Sequence, residues 1–192
     1  MIKKIFFLIK ILFIYFLWIN ICSADLQKNL INKLTATQTL TFDFKQKISD
    51  KEEKGNCFIK YPLLMKCNYK NLKEKTIISN GKTIAIIKKK YKKIYLYPIE
   101  STPLFFLLKK EKIISLIRKN KPNRVNSELI EFIFVDKKAN EVKIFFNKKS
   151  LNLKGWETKD TYSNKVIFEI DNLIINNQIL DNFFKIPNEN NL

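Results

Sequence analysis

The sequence has no histidine. That absence excludes Ser-His-Asp triads, histidine general bases and histidine metal ligands together. Three glycines are too few for a G-x-G-x-x-G or Walker loop, and neither pattern occurs. Cysteine is scarce as well, with three in the whole chain, so cysteine-based zinc sites are ruled out once the first is removed with the N-terminus. Arg118 and Arg124 are the only arginines; the excess of positive charge is almost entirely lysine. No pair of carboxylates stands out as an acid–base couple.

The N-terminus sets the compartment. Lys3 and Lys4 precede an unbroken apolar run from Ile11 to Ile19, followed by Cys22-Ser23-Ala24 and then Asp25. This pattern predicts a secretory signal, residues 1–24, cleaved after Ala24. Lys10 leaves the run short of the roughly 20 residues of a spanning helix. Ile21 stands where a lipoprotein signal would carry a small residue. Cleavage leaves a single domain, residues 25–192, and lowers the net charge from +18 to +15. Such a basic surface favours contact with anionic lipid or other acidic surfaces. Apolar rather than basic-aromatic strand faces argue against nucleic acid as a partner.

Leu26, Leu30 and Leu34 recur at helical spacing over residues 25–36. In TLTFDFKQKIS, Leu40, Phe42, Phe44, Gln46 and Ile48 alternate with Thr41, Asp43, Lys45 and Lys47, the pattern of a strand with one wet face. Gly55-Asn56 is expected to open a hairpin strand, Tyr61-Pro62 to turn it, and Ser79-Asn80-Gly81 to form a further hairpin loop. About ten strands follow from such signals, so antiparallel β structure dominates. The Asn-rich tail is expected to fray. One segment breaks the rhythm: Thr102-Pro103 before LFFLLKKEKIISLI reads as a helix start, Thr102 capping and Pro103 first. Leu104, Leu107, Leu108, Ile114 and Ile117 would line one side of a helix laid on the concave face of a curved sheet.

The inward faces collect many bulky residues. Phe42 and Phe44 lie on the first strand, and Ile59, Tyr61, Met65 and Tyr69 on the hairpin. Ile84, Ile86, Phe132, Phe134, Phe145 and Phe168 follow later. They fit ordinary packing or a ligand cavity, and composition does not choose between these. With the turn centred on Pro62, Cys57 and Cys67 oppose one another, with Cβ atoms expected about 4.5–5.5 Å apart. They are disulfide candidates in an exported protein, the other reading being two reduced, buried thiols.

The order of motifs resembles the periplasmic outer-membrane lipoprotein carriers of the LolA type. The similarity runs through Phe44-Lys45-Gln46, then Gly55 leading to Lys60-Tyr61-Pro62, then Ser79-Asn80-Gly81-Lys82-Thr83. It continues through Thr102-Pro103-Leu104-Phe105-Phe106-Leu107-Leu108, LNLKGWETKD and Phe184-Lys185-Ile186-Pro187. The resemblance implies an unclosed antiparallel β-barrel of about eleven strands, with helices forming a lid over an apolar cavity. It implies a monomeric, non-enzymatic carrier without cofactor or metal. Its partners would be acylated lipoproteins, an ABC-type release complex in the inner membrane and an outer-membrane receptor. On this resemblance the cavity would be lined by Phe42, Phe44, Ile59, Met65, Tyr69, Ile84, Ile86, Phe132, Phe134 and Phe145. Leu104, Phe105, Leu107 and Leu108 would form the lid. One position departs from the family: an arginine usually precedes the hairpin proline and holds the lid through backbone carbonyls, and here Tyr61 stands there. A phenol donates one hydrogen bond where a guanidinium donates five. The alternatives are an exported hydrolase acting on lipid or cell wall, weakened by the lack of histidine and of G-x-S-x-G, and an envelope β-domain held by an uncleaved N-terminus.

Overall fold

A computed structural model describes residues 25–70, 74–135, 141–160 and 162–192. The expected signal at residues 1–24 lies outside them. Helix α1 covers residues 25–36, burying Leu30 and Leu34 as their spacing requires. The chain then lays down β1 (Thr39–Ile48), β2 (Lys51–Lys60), β3 (Leu64–Tyr69), β4 (Lys75–Asn80), β5 (Thr83–Lys88) and β6 (Lys93–Pro98) as successive hairpins. Two short helices follow, α2 (Leu104–Leu108) and α3 (Lys110–Lys119). A second antiparallel series comprises β7 (Arg124–Val125), β8 (Leu129–Val135), β9 (Glu141–Asn147), β10 (Leu153–Lys159) and β11 (Lys165–Ile175).

Last strand pairs with first. The sheet order β6-β5-β4-β3-β2-β1-β11-β10-β9-β8-β7 places β1 and β11 side by side at the centre and leaves β6 and β7 as unpaired edges. The barrel is therefore open, with eleven strands, all antiparallel. The extra strand beyond the expected ten is the two-residue β7. Since β6 and β7 end the two series, the segment between them must travel from one open edge to the other. That segment holds α2 and α3, which is why the helices lie across the concave face.

Local details depart from the sequence expectation in three places. Ser49 and Asp50 make the β1–β2 turn, and Gly55-Asn56 falls inside β2. At Gly55 the backbone approaches its neighbours closely: a Cβ would meet Asn68 O at 2.1 Å and the Phe44 ring at 2.7 Å. The glycine is there because an aromatic ring occupies the space of its side chain. Thr102 does not cap α2; its hydroxyl donates back to Ile99 O at 2.9 Å, and Pro103 holds the cap position. The C-terminal tail is ordered on the convex face. Phe183 packs edge-on against Phe58, Phe184 is buried, and Ile186 and Leu192 cover Ile78, Ala85 and Ile87. Asn188 accepts from the Asn190 amide at 3.1 Å, and Glu189 accepts from the Ile94 amide at 3.0 Å. Apolar tail residues with a partner on the sheet outweigh the fraying that asparagine content suggests.

Gly55→Ala is expected to destabilise the protein by about 3 kcal/mol, because neither backbone carbonyl nor packed ring can yield. Denaturant unfolding measures this; a loss below about 0.5 kcal/mol would show that the Phe44 ring is free to move aside.

Candidate functional site

The concave face is a continuous apolar surface. Across its centre runs an aromatic row: Trp156 stacks on Phe168 at 4.1 Å, Phe168 on Phe44 at 4.7 Å, and Phe44 meets Tyr69 edge-on at 4.9 Å. The Tyr69 hydroxyl donates to Gln46 Oε1 at 2.5 Å, so the Phe44-Lys45-Gln46 segment both roofs Gly55 and satisfies the tyrosine. A second aromatic group, Phe132, Phe134 and Phe146, lines the β8–β9 side, with Phe134 facing Phe106 of the lid at 5.6 Å.

Most of the residues expected to face inward do so. Phe42, Phe44, Ile59, Met65, Tyr69, Ile84, Phe132 and Phe134 are buried in the main core, and Ile86 is partly buried beside it. Phe145 does not join them. In β9, Val142, Ile144 and Phe146 are buried, and Phe145 is half-buried on the opposite face with Lys143. The paired phenylalanines left two registers open, and the buried one also takes Val142 and Ile144 inward. Cys57 and Cys67 are directly opposed and joined by a disulfide at the wall, with Cα atoms 4.0 Å apart.

In the lid, Leu107 and Leu108 are buried and Leu104 and Phe105 half-buried. Phe106, Ile113 and Ile117 complete its inner side. The lid is two pieces because Lys109 is non-helical (φ −95°, ψ 77°) between α2 and α3. The Leu108 carbonyl at that break is taken by the Leu63 amide of the β2–β3 turn at 3.1 Å.

Polar tethers fasten the lid to α1. Lys110, 8 % exposed, directs its ammonium at the carbonyls of Thr37 and Thr35, at 2.6 and 3.2 Å. These carbonyls close α1, where the helix dipole favours a cation. Gln27, near the other end of α1, donates its amide to Ile117 O and to Asn120 O. The two contacts require α1 and α3 to run antiparallel. Lys110 also lies 5.4 Å from the Tyr61 ring centre. Burial lowers its pKa, with nearby Glu111 opposing the shift. Tyr61 thus sits beside the tether as its aromatic wall, and the cation belongs to the lid. Sequence reasoning missed Lys110 and Gln27. The signal for Lys110 was present: Phe106, Lys110, Ile113 and Ile117 share one helical stripe, and a lysine on a buried stripe needs acceptors.

The lid side chains fill the space they cover. Two voids hold about 20 Å³ each, one beneath the lid by Leu34, Tyr61, Leu107 and Trp156, the other beside the end of α1 by Leu34, Leu40, Leu151 and Leu173. Each suits about one water, against roughly 300–1,000 Å³ for a ligand site. With α2 and α3 closed on the sheet, the void beneath them has room for about one water.

An open antiparallel shell with an apolar concave face and a two-piece helical cover defines a binding protein class. Residues 35–187 match the family described as outer membrane lipoprotein carrier protein LolA, and the chain belongs to that family. Comparison with curated proteins finds no match. Among solved structures, an uncharacterized conserved protein from Thermus thermophilus is similar at a TM-score of 0.52 and 8% identity, over 86% of this chain and 94% of that one. A LolA superfamily protein from Nitrosomonas europaea is similar at 0.45 and 7%, over 85% and 97%. The MucA/MucB complex of Pseudomonas aeruginosa gives 0.48 and 8%, over 86% of this chain and 62% of that one. At such identities the likeness concerns fold alone. Among the described residues, no helix is long and apolar enough to cross a membrane.

Burial, with a nearby carboxylate in each case (Glu111 for Tyr61, Glu53 for Tyr69), holds both phenols above the ordinary tyrosine range, although Tyr61 keeps some surface exposed. In the unfolded chain they ionise near the usual value of about 10. Native stability from these groups is therefore complete below about pH 10 and is lost as pH rises beyond it. Their phenolate absorbance is expected to rise together with the loss of β-sheet dichroism, and the Tyr61→Phe/Tyr69→Phe variant to unfold at higher pH. Equal alkaline midpoints for the two proteins would contradict the assignment.

Proposed function

We propose that the protein is a periplasmic carrier that takes the acyl chains of lipoproteins released from the inner membrane and delivers them to the outer membrane. Residues 1–24 are then its export signal and residues 25–192 the carrier domain. The observation that carries the proposal is the pairing of a continuous apolar concave face with a broken, two-piece lid held by few polar tethers. An acyl chain exposed to water costs roughly 0.8 kcal/mol per methylene. The concave face offers aromatic and branched side chains without charge, and the lid residues Leu104, Phe105, Leu107 and Leu108 supply the same chemistry from above.

Release matters as much as capture. A rigid, preformed pocket would hold acyl chains tightly, whereas a lid that closes on its own interior competes with the cargo. The closed state lowers the apparent affinity by the fraction of molecules that are open. The transfer partners this implies are an ABC-type release complex upstream and an outer-membrane acceptor downstream. Membership of the LolA family supports the whole scheme.

The test is native mass spectrometry with a triacylated lipopeptide, alongside displacement of a fluorescent acyl probe. A one-to-one adduct is expected. Lys110→Met, which removes the ammonium from the Thr35 and Thr37 carbonyls, is expected to raise apparent affinity about tenfold by loosening the closed state. A folded wild-type protein that takes up neither lipopeptide nor probe would overturn the carrier assignment. Weaker binding by Lys110→Met would overturn the role of the tether.

A further inference from the structure

The β5–β6 hairpin carries a charge pattern that the sheet itself cannot explain. Lys88, Lys89, Lys90, Lys92 and Lys93 occupy five of six consecutive positions, with Tyr91 at the centre. Lys88 and Lys93 are direct cross-strand partners, and Lys75 pairs with Lys88 on the other side. Like charges placed opposite one another destabilise a sheet. Lys75 is answered by Glu53 at 2.5 Å. Among the described residues, none of the five hairpin lysines makes an ion pair. The positive field reaches further, since Lys89 adds to burial in lowering the Lys66 pKa.

Beside this charge lies exposed apolar surface. Tyr91 is 53% exposed and Leu96 60%, and Tyr95 and Tyr97 are exposed on the other face of β6. Tyr95 and Tyr97 are the cross-strand neighbours of Ile86 and Ile84 and extend the concave face, while Leu96, opposite Ala85, lies on the convex side of the same edge strand. Lys88 reaches over the Tyr95 ring at 5.1 Å. Lysine heads flanking tyrosine rings and a leucine match the boundary between lipid headgroups and acyl chains.

We propose that this hairpin docks the protein on the surface of an anionic lipid bilayer, lysines on the headgroups and Tyr91 and Leu96 at the acyl boundary. A bilayer fits better than a strand from a protein partner, because Glu189 already takes the Ile94 amide on β6. The patch is separate from the lid tethers, and the docking stands whether or not acyl chains are the cargo. It would bring the mouth of the shell to a membrane without requiring a receptor to recruit it.

The experiment is co-sedimentation of the exported protein with phosphatidylglycerol/phosphatidylcholine vesicles and with pure phosphatidylcholine vesicles, no lipopeptide present. Binding to the anionic vesicles alone is expected, weakening as salt rises. Lys89→Gln/Lys90→Gln/Lys92→Gln/Lys93→Gln is expected to lower partitioning roughly 600-fold, about fivefold for each lysine. Lys148→Gln/Lys149→Gln/Lys154→Gln/Lys159→Gln removes the same charge from exposed positions elsewhere and is expected to leave binding near wild type. In Tyr91→Trp, the new fluorescence is expected to shift to the blue on anionic vesicles. Equal losses in the two fourfold variants would reduce the effect to net charge and overturn the hairpin assignment. So would retention of binding by the hairpin variant, or wild-type binding that ignores lipid charge. Both fourfold variants keep the N-terminus of the wild type, so the differences report the hairpin alone.

Discussion

An apolar surface that cannot close on itself governs this protein. The sheet curves, but β6 and β7 form its two open edges and do not pair with each other, and its inner face presents phenylalanine, tryptophan and isoleucine to whatever lies within. Such a face must be covered. The chain covers it with α1 and with the segment that has to cross from β6 to β7, so lid and shell are consequences of the same topology. Nothing comparable constrains the convex face, where the tail from residue 176 onward suffices.

The cover is fastened at its break and at its ends by polar contacts. A single continuous helix would have carried its own hydrogen bonds across the whole span. The break at Lys109 instead leaves the Leu108 carbonyl to the Leu63 amide of the β2–β3 turn. Lys110 then offers a partly desolvated cation to carbonyls at the end of α1. Hydrogen bonds from a charged group are worth about 1.5–3 kcal/mol each, enough to hold a lid and small enough to be exchanged for acyl burial. Tyr61 can donate one hydrogen bond at most, and the group that reaches the α1 carbonyls is the Lys110 ammonium of the lid.

Much of this was legible in the sequence. Alternation exposed the strands, and the Cys57–Cys67 register followed from centring the turn on Pro62; the structure pairs these residues as expected. Order of motifs pointed to the fold where no single motif did. What escaped had physical reasons. Phe145 and Phe146 are adjacent, so period-two patterning alone left their facing undetermined. Gly55 looks like a turn residue until the Phe44 ring above it is known. The tail is rich in asparagine, yet Phe184, Ile186 and Leu192 find a surface whose existence depends on strands distant in sequence. Lys110 and Gln27 act on carbonyls of other elements, partners that no local pattern names.

Under the proposed function, α2 and α3 leave the sheet when cargo enters. Hydrogen exchange at the Leu63 amide and along α2–α3 tests it most directly, followed while triacylated lipopeptide is added. Leu63 and the lid amides are expected to lose protection as the lipopeptide binds, while the β1–β11 amides stay protected. Bound lipopeptide with the Leu63 amide as protected as in the protein alone would contradict it.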